Sequence, residues 1–553
     1  MSHLLGRLGP DVASVILKGL GSLVLIGLLV FFYRLYRVRM MFRRVQKEYG
    51  IPILPHSFLF GHLVIIAKLY MKYKIPQDGN GHWIFLYLKR EYPEITKKGL
   101  IYMDPWPIGY AMIAVYHPDM MAQFTQENSL PKYWAMPQVE FKPFTGGEDL
   151  VNLDGLEWKR ARSMFNPGFS ARNLLSLVPD MIEEALVFRE RLGKAAASGE
   201  VVRLEKYTTD ITVDIIGRAA LGTRLETQTR TSRLMETMRS QLKLIFLELD
   251  LKKLLNPLRP LKHRIYNRII RNELVPYIND TAQNYEKVEG PKTIVALALK
   301  EHINETQDYS ARGNIPHDFI ERVVKHIKIF MFAGHDTTAT ILAYIYYLLS
   351  ENPDKLAKVR AEHDEVLGPD PAGAAHLIRA DPTILNKLPY TLAVLKETLR
   401  LFPPVGGTIR QSSPGHFLTH PETGERFPTY GFMLHSSAAT LQRDPQYWPD
   451  PDSFVPERFM VRDENDPLYP TKNTWRPFEM GPRNCIGQEL VSVEVRLILA
   501  LTVREFEVEE AYPENAESWL GTKAYQITNP EVIATAHIKD GLPVRIRSRN
   551  LRD

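Results

Sequence analysis

Two long apolar runs stand out along an otherwise mixed pattern. The first, Val12 to Tyr33, reads VASVILKGLGSLVLIGLLVFFY, 22 residues broken by one charge, Lys18. As a helix it reaches roughly 33 Å, enough for a hydrocarbon core of about 30 Å. Lys18 lies near enough to the end to snorkel. Arg34, Arg37, Arg39, Arg43, Arg44 and Lys47 follow at once. The positive-inside tendency then places the chain after Tyr33 in the cytosol. The run is long, and no small-residue cleavage site precedes the arginines, so it reads as an uncleaved anchor rather than a signal peptide. Next comes Ile51-Pro52-Ile53-Leu54-Pro55, whose prolines disfavour helix and predict an extended strap.

The second run lies between Pro316 and Pro353, where about 35 residues follow helical spacing and are apolar nearly all round. Such a helix, about 52 Å long, must cross the interior. Its middle reads Ala333-Gly334-His335-Asp336-Thr337-Thr338. A mid-helix glycine costs about 1 kcal/mol relative to alanine. A carboxylate in apolar surroundings costs more unless it is paired, and threonines bond back to the preceding turn and bend the helix. The combination predicts a kink that turns a hydroxyl and a carboxylate toward a cavity.

Elsewhere helical periodicity dominates from about 100 to 400. Short strand-like pieces gather at 400–440, among them Gly415–Phe427, and again at the C-terminus, while the prolines between Pro445 and Pro482 predict irregular backbone. The expected organisation is an anchor over 1–33, a basic and proline-rich linker over 34–57, and one large, mainly α body with small β-sheets over 58–553.

Composition narrows the chemistry. With 44% hydrophobic, 24% charged and 10% aromatic residues among 553, the chain is neither disordered, collagenous nor polytopic. A net charge of +5 gives no argument for nucleic acid. The single cysteine, Cys485, excludes an intrachain disulfide, a CxxC redox pair and any four-cysteine metal site. It stands in Phe478-Glu479-Met480-Gly481-Pro482-Arg483-Asn484-Cys485-Ile486-Gly487, just before the helical pattern QELVSVEVRLILAL. Backbone N–H groups and the positive end of a helix stabilise a thiolate. Glycines allow a tight turn and close approach of a planar ligand; Phe478 can shield the sulfur, and Arg483 offers a fork for a carboxylate. One thiolate cannot hold zinc alone, but it suffices as the axial ligand of haem, whose porphyrin supplies four nitrogens.

The string FEMGPRNCIG resembles the haem loop of the cytochrome P450 superfamily, FxxGxRxCxG, at every fixed position. AGHDTT resembles the oxygen-activating helix motif [AG]Gx[DE]T[TS] of that family. Glu397 to Arg400 resembles its ExxR motif, completed by Pro456-Glu457-Arg458-Phe459, and Trp158 to Arg162 its WxxxR, all in the family's order. The resemblance implies a cytochrome P450 fold, with a long central helix over haem b and the cysteine loop beneath, and makes 58–553 a haem-thiolate catalytic domain. It implies Cys485 as the proximal thiolate and metal ligand. Trp158, Arg162, Arg483 and Arg410 would serve the haem propionates. Glu397, Arg400 and Arg458 would form the buried charge network that fixes the loop, with Phe478 and Gly487 completing the pocket. Asp336 and Thr337 would relay protons to dioxygen at the haem, with His335, at the variable position, packing or lining the cavity. One departure is visible: Gln442 stands where relatives often carry histidine before Arg443-Asp444-Pro445.

The anchor and strap resemble those of microsomal, eukaryotic members of the endoplasmic reticulum. They imply NADPH–cytochrome P450 reductase as electron donor, with cytochrome b5 as an additional one. The implied activity is monooxygenation of a small, mainly apolar organic substrate by O2. A fungal member acting in secondary metabolism is the nearest likeness; fatty-acid, alkane or xenobiotic hydroxylation, or a haem-thiolate isomerase or dehydratase, are the alternatives, and a haem carrier without turnover fits the intact Asp336-Thr337 pair poorly. Tyr133–Phe144, Phe330–Ala333, Val405–Thr408 and Thr522–Thr528 are expected to line the pocket, with Trp134, Met136, Phe144, Phe330, Val405 and Ile527 as its apolar content.

Overall fold

The computed structural model describes residues 10–127, 129–245, 256–284, 293–306, 316–528 and 535–549. Its first helix, α1 (Pro10–Tyr49), is 40 residues long and does not stop where the apolar run ends. Its first half projects apolar side chains into the open, with Val15 69% and Leu23 67% exposed. Among the described residues this is the one helix long and apolar enough to cross a membrane, within Leu17–Tyr49.

The second half of α1 differs from the expected linker. Leu35, Arg39, Phe42 and Val45 form a buried stripe at helical spacing, and Ile51 and Leu54 join the same apolar cluster as Phe42 and Val45. Arg39 is fully buried and pairs with Asp104 Oδ2 at 2.5 Å. It also donates to the carbonyls of Phe58, Leu59 and Trp106 at 2.9–3.1 Å. Arg39 therefore belongs to the body rather than to the headgroup-facing basic cluster. Residues 34–49 are a docked helix because that stripe has somewhere to bury.

The helices that position the candidate site are α2 (Gly155–Phe165), α3 (Leu204–Leu221), α4 (His317–Glu351), α5 (Pro389–Leu401) and α6 (Gln488–Thr502). The 35-residue α4 matches the expected crossing helix, and it is unbroken through Gly334–Thr338. Its glycine serves close approach: a Cβ at Gly334 would meet the Ile216 side chain of α3 at 3.3 Å. Two α3 hydroxyls then reach α4 carbonyls, Thr212 to His335 at 3.0 Å and Thr208 to Ala339 at 2.9 Å.

The strands are β1 (Leu100–Met103), β2 (Met112–Val115), β3 (Val202–Arg203), β4 (Ile409–Gln411), β5 (Phe417–Thr419), β6 (Arg426–Pro428), β7 (Met433–Ser436), β8 (Phe506–Glu510), β9 (Gln526–Thr528), β10 (Ala536–Ile538) and β11 (Pro543–Ser548). One sheet runs β1-β2-β7-β4, with β2 and β7 parallel and the other neighbours antiparallel. A second runs β3-β11-β8, and β5-β6 and β9-β10 are antiparallel pairs. The strands at 400–440 and at the C-terminus stand where the pattern predicts them. β1 and β2 fall inside the stretch read as helical, because β1 is buried at every position and a short, fully apolar run has no period of two to detect.

Candidate functional site

Cys485 sits on a loop whose turns are set by positive φ at Glu479 and Gly481. At Gly481 a Cβ would lie 2.3 Å from the Thr125 carbonyl oxygen, so only glycine fits. The loop closes through Cys485 N–H to Phe478 O at 2.9 Å and Asn484 N–H to Gly481 O at 3.1 Å. Gly487 is the N-cap of α6, and the space at its Cα faces Cys485 Sγ, which a Cβ would meet at 3.8 Å. The thiol has open space beside it although it lies deep within the protein, as for a group lining an interior chamber. Burial pushes its pKa up, against the opposing pull of the Gly487 N–H and Arg162. The helix terminus therefore does not by itself yield a thiolate, contrary to expectation; a bound metal ion deprotonates a coordinating thiol outright. Among the described residues no cluster of three or more His, Cys, Asp or Glu is placed to hold a metal, so a metal at Cys485 needs its other ligands from a cofactor.

Arg162 on α2 clasps the loop, donating to the Asn484 carbonyl at 2.8 Å and its side-chain oxygen at 3.1 Å. Arg483 pairs with Asp154, donates to the Leu153 carbonyl, and stacks over the Trp158 ring at 4.8 Å. Arg410 on β4 is fully buried; it donates to Thr408 Oγ1 at 2.6 Å and to the Ile409 carbonyl at 2.9 Å, while its Nε has no partner among the described residues. Burial and then Arg483 push its pKa down to about 10. Sequence reasoning missed Lys132, whose charged form is opposed by burial and by Arg410 and Arg483; its backbone N–H donates to Asp154 at 2.9 Å. Among the described residues Lys132 and Arg410 face Asp154 and Glu479 as counter-charges, Arg483 faces Asp154, and Arg162 faces Cys485. A buried cation excess with an orphaned guanidinium N–H beside a lone accessible thiol fits the two carboxylates and the iron of haem b.

The support beneath the loop is a closed charge network. Arg400 on α5 is bidentate to Glu397 at 2.7 and 2.8 Å, and Arg458 reaches the same carboxylate at 3.3 Å, all three at most 1% exposed. Arg400 also donates to the carbonyls of Gln442, Pro451 and Ser453 at 2.6–3.0 Å. Gln442 ties this network to the cysteine loop. Its amide nitrogen donates to the Leu399 and Arg400 carbonyls at 3.2 Å, and its oxygen accepts from the Arg476 N–H at 2.8 Å. Arg476, also missed from sequence, is fully buried and bonds Glu479 and Thr125.

On α4 the Thr337 hydroxyl donates to the Ala333 carbonyl at 2.8 Å, and Ala333 is exposed although most of the helix around it is buried. Asp336 is buried and turned toward β10, where it takes the Thr535 hydroxyl and lies 3.4 Å from His537 Nε2. His335 is packed: its ring contacts the Met331 carbonyl oxygen at 2.5 Å, and burial lowers its pKa. Of the expected pocket residues, Phe330 is instead core, edge-on to Phe165 at 4.9 Å and Phe169 at 5.2 Å. Phe144 is likewise buried, against Phe332. Trp134 and Val405 are exposed.

Comparison with known proteins bears on this geometry. Residues 74–531 match the family model of cytochrome P450. The chain is 34% identical over 532 residues to cytochrome P450 monooxygenase polC of Polytolypa hystricis, covering 94% of this chain and 93% of that one. It is 34% identical over 512 residues to cytochrome P450 monooxygenase acrF of Aspergillus aculeatus, covering 87% and 100%. The crystal structure of the cytochrome P450DA heme domain superposes with a TM-score of 0.68 at 20% identity, over 91% of this chain and 97% of that one. The chain belongs to the cytochrome P450 family of haem-thiolate oxidoreductases.

Proposed function

We propose that the chain is a membrane-anchored monooxygenase that inserts one atom of O2 into a small, mainly apolar organic substrate. Electrons come from NADPH through a separate cytochrome P450 reductase, with cytochrome b5 as an additional donor. The observation that carries the reading is the pairing of one accessible thiol on a rigid loop with an intact Asp336-Thr337 step on the central helix. Cys485 would be the axial ligand, and Arg162, Arg410 and Lys132, with Trp158 and Arg483, would hold the propionates. The haem, when bound, supplies the electron-rich iron at which dioxygen is activated.

The chain's own residues do the rest. Arg400, Glu397 and Arg458 hold the loop in one geometry, because removing any partner strands a buried charge. Phe478 closes the turn that carries Cys485 by accepting its N–H, and Gly487 leaves the space beside the sulfur open. The Thr337 hydroxyl, bonded to the Ala333 carbonyl, can rotate to donate a proton into the chamber, and Asp336 one residue earlier can replace it. The anchor supports a single-pass protein of the endoplasmic reticulum with its catalytic domain in the cytosol. The fungal relatives support a place in secondary-metabolite biosynthesis.

The test is reconstitution with reductase in vesicles under isotopically labelled dioxygen. NADPH-dependent uptake with label in an organic product is expected. Product formed from a hydroperoxide without NADPH would instead indicate an isomerase or dehydratase.

A further inference from the structure

The Asp336 carboxylate is one end of a buried chain of ionisable groups that reaches across three elements. His537 on β10 stands between two carboxylates, its Nε2 3.4 Å from Asp336 Oδ2 and its Nδ1 3.0 Å from Glu205 Oε1. Glu205, in the first turn of α3, is itself braced: the same oxygen accepts the Thr340 hydroxyl at 3.2 Å and the Ile538 N–H at 3.3 Å. β10 is held in place by its pairing with β9, His537 opposite Ile527, and by Ala536 N–H to the Pro404 carbonyl at 2.8 Å.

We infer that His537, braced by Glu205, is a positioning residue for Asp336: as an imidazolium it holds that carboxylate on the β10 side of α4 as an anion and thereby sets the pH range over which Asp336 takes up and returns a proton. The inference rests on the monooxygenase reading for its use, and on the geometry of these three residues for its content.

The electrostatics agree with that geometry. Burial opposes a charge on His537, yet Asp336 and Glu205 outweigh it and raise the imidazole to about 10. Burial likewise pushes Asp336 up, but His537, then His335 and the Thr535 hydroxyl, hold it below the ordinary carboxylate range. The other groups facing this chain are His335, whose charge burial opposes and Asp336 favours, the Arg239 guanidinium beyond it, and the phenols of Tyr344 and Tyr512, both raised by burial. The phenols stay neutral near neutral pH and burial works against a charge on His335, so His537 and Glu205 are the main groups that set the pH response of Asp336.

The test uses the purified holoenzyme and its His537→Gln and Glu205→Gln variants, accepted only with an unaltered reduced carbon monoxide difference spectrum. Infrared spectra across pH resolve the protonated-carboxyl band that disappears in Asp336→Asn. In His537→Gln its midpoint should move up by at least about one pH unit, since burial then acts on Asp336 without its cation. Glu205→Gln should move the His537 imidazolium midpoint down by a similar amount, read by nuclear magnetic resonance of labelled histidine. Product per NADPH in His537→Gln should acquire an inflection at the shifted Asp336 midpoint that the parent lacks there. A folded His537→Gln with the parent's Asp336 midpoint overturns the inference; if that variant does not fold, an unchanged His537 midpoint in Glu205→Gln overturns it equally. Absence of turnover in the parent would instead count against the monooxygenase reading, and leaves the infrared result decisive for this one.

Discussion

At the scale of single residues the account makes sharp demands. Among the described residues the Thr337 hydroxyl bonds only the Ala333 carbonyl of its own helix, so Thr337→Ala should fold and bind haem normally while releasing more peroxide per electron. Product and peroxide measured against NADPH check this, and unchanged coupling would contradict the relay. Gly481 is different, because its positive φ and the Thr125 carbonyl leave no room for a side chain. Gly481→Ala should cost about 1–3 kcal/mol in strain and lower haem content, measured by the ratio of Soret to protein absorbance. Residues were legible in the sequence where the chemistry is local. Cys485 with its glycines, and Asp336-Thr337 within an apolar helix, announce themselves by their immediate neighbours. Lys132, Arg476, Glu205 and His537 do not, because each acquires its meaning from a partner far along the chain, as Glu205 and His537 do from each other. Gln442, the visible departure from the family pattern, is a three-way tie between α5 and the cysteine loop.

At the scale of elements, helix α1 joins two environments. Its apolar half was evident from length and composition. Its docked half was not, since arginines at 34, 37, 39, 43 and 44 read as one basic cluster until Asp104, directly after β1, pairs with Arg39. Removing residues 1–33 should therefore shift the protein toward the soluble fraction and leave its spectrum intact. Removing residues 1–49 strips Arg39, Phe42 and Val45 from the body and leaves the buried Asp104 carboxylate to His56, a loss of at most about 3–5 kcal/mol from the Arg39 ion pair. Thermal unfolding of the two truncations separates these outcomes; equal midpoints would mean that the docked half contributes nothing. The central helix was legible for the opposite reason: its 35 residues carry their own apolar signature between two prolines.

At the scale of the whole molecule, buried histidines set the acid limit. Burial lowers His326 and His363 to about 3 and His62 to about 4. Each is neutral in the fold and takes up a proton more readily when unfolded, so its stabilising contribution is complete above about pH 6.5 and is lost as pH falls toward 3–4. His537 acts in the other direction, its contribution complete below about pH 6.5 and lost as pH rises toward 10. Unfolding free energy should therefore peak near neutral pH and decline steeply on the acid side, as denaturant titrations at several pH values would show. A stability that rises continuously into acid would contradict these assignments.

The proposed function depends on a bond that the Cys485 sulfur would make to haem iron. The reduced carbon monoxide difference spectrum of the purified full-length protein and of Cys485→Ala tests it most directly. The parent should give the long-wavelength Soret band of thiolate-ligated haem, and the variant should give none. A parent band at the shorter wavelength of imidazole-ligated haem, or a thiolate-type band that survives in Cys485→Ala, would contradict the account.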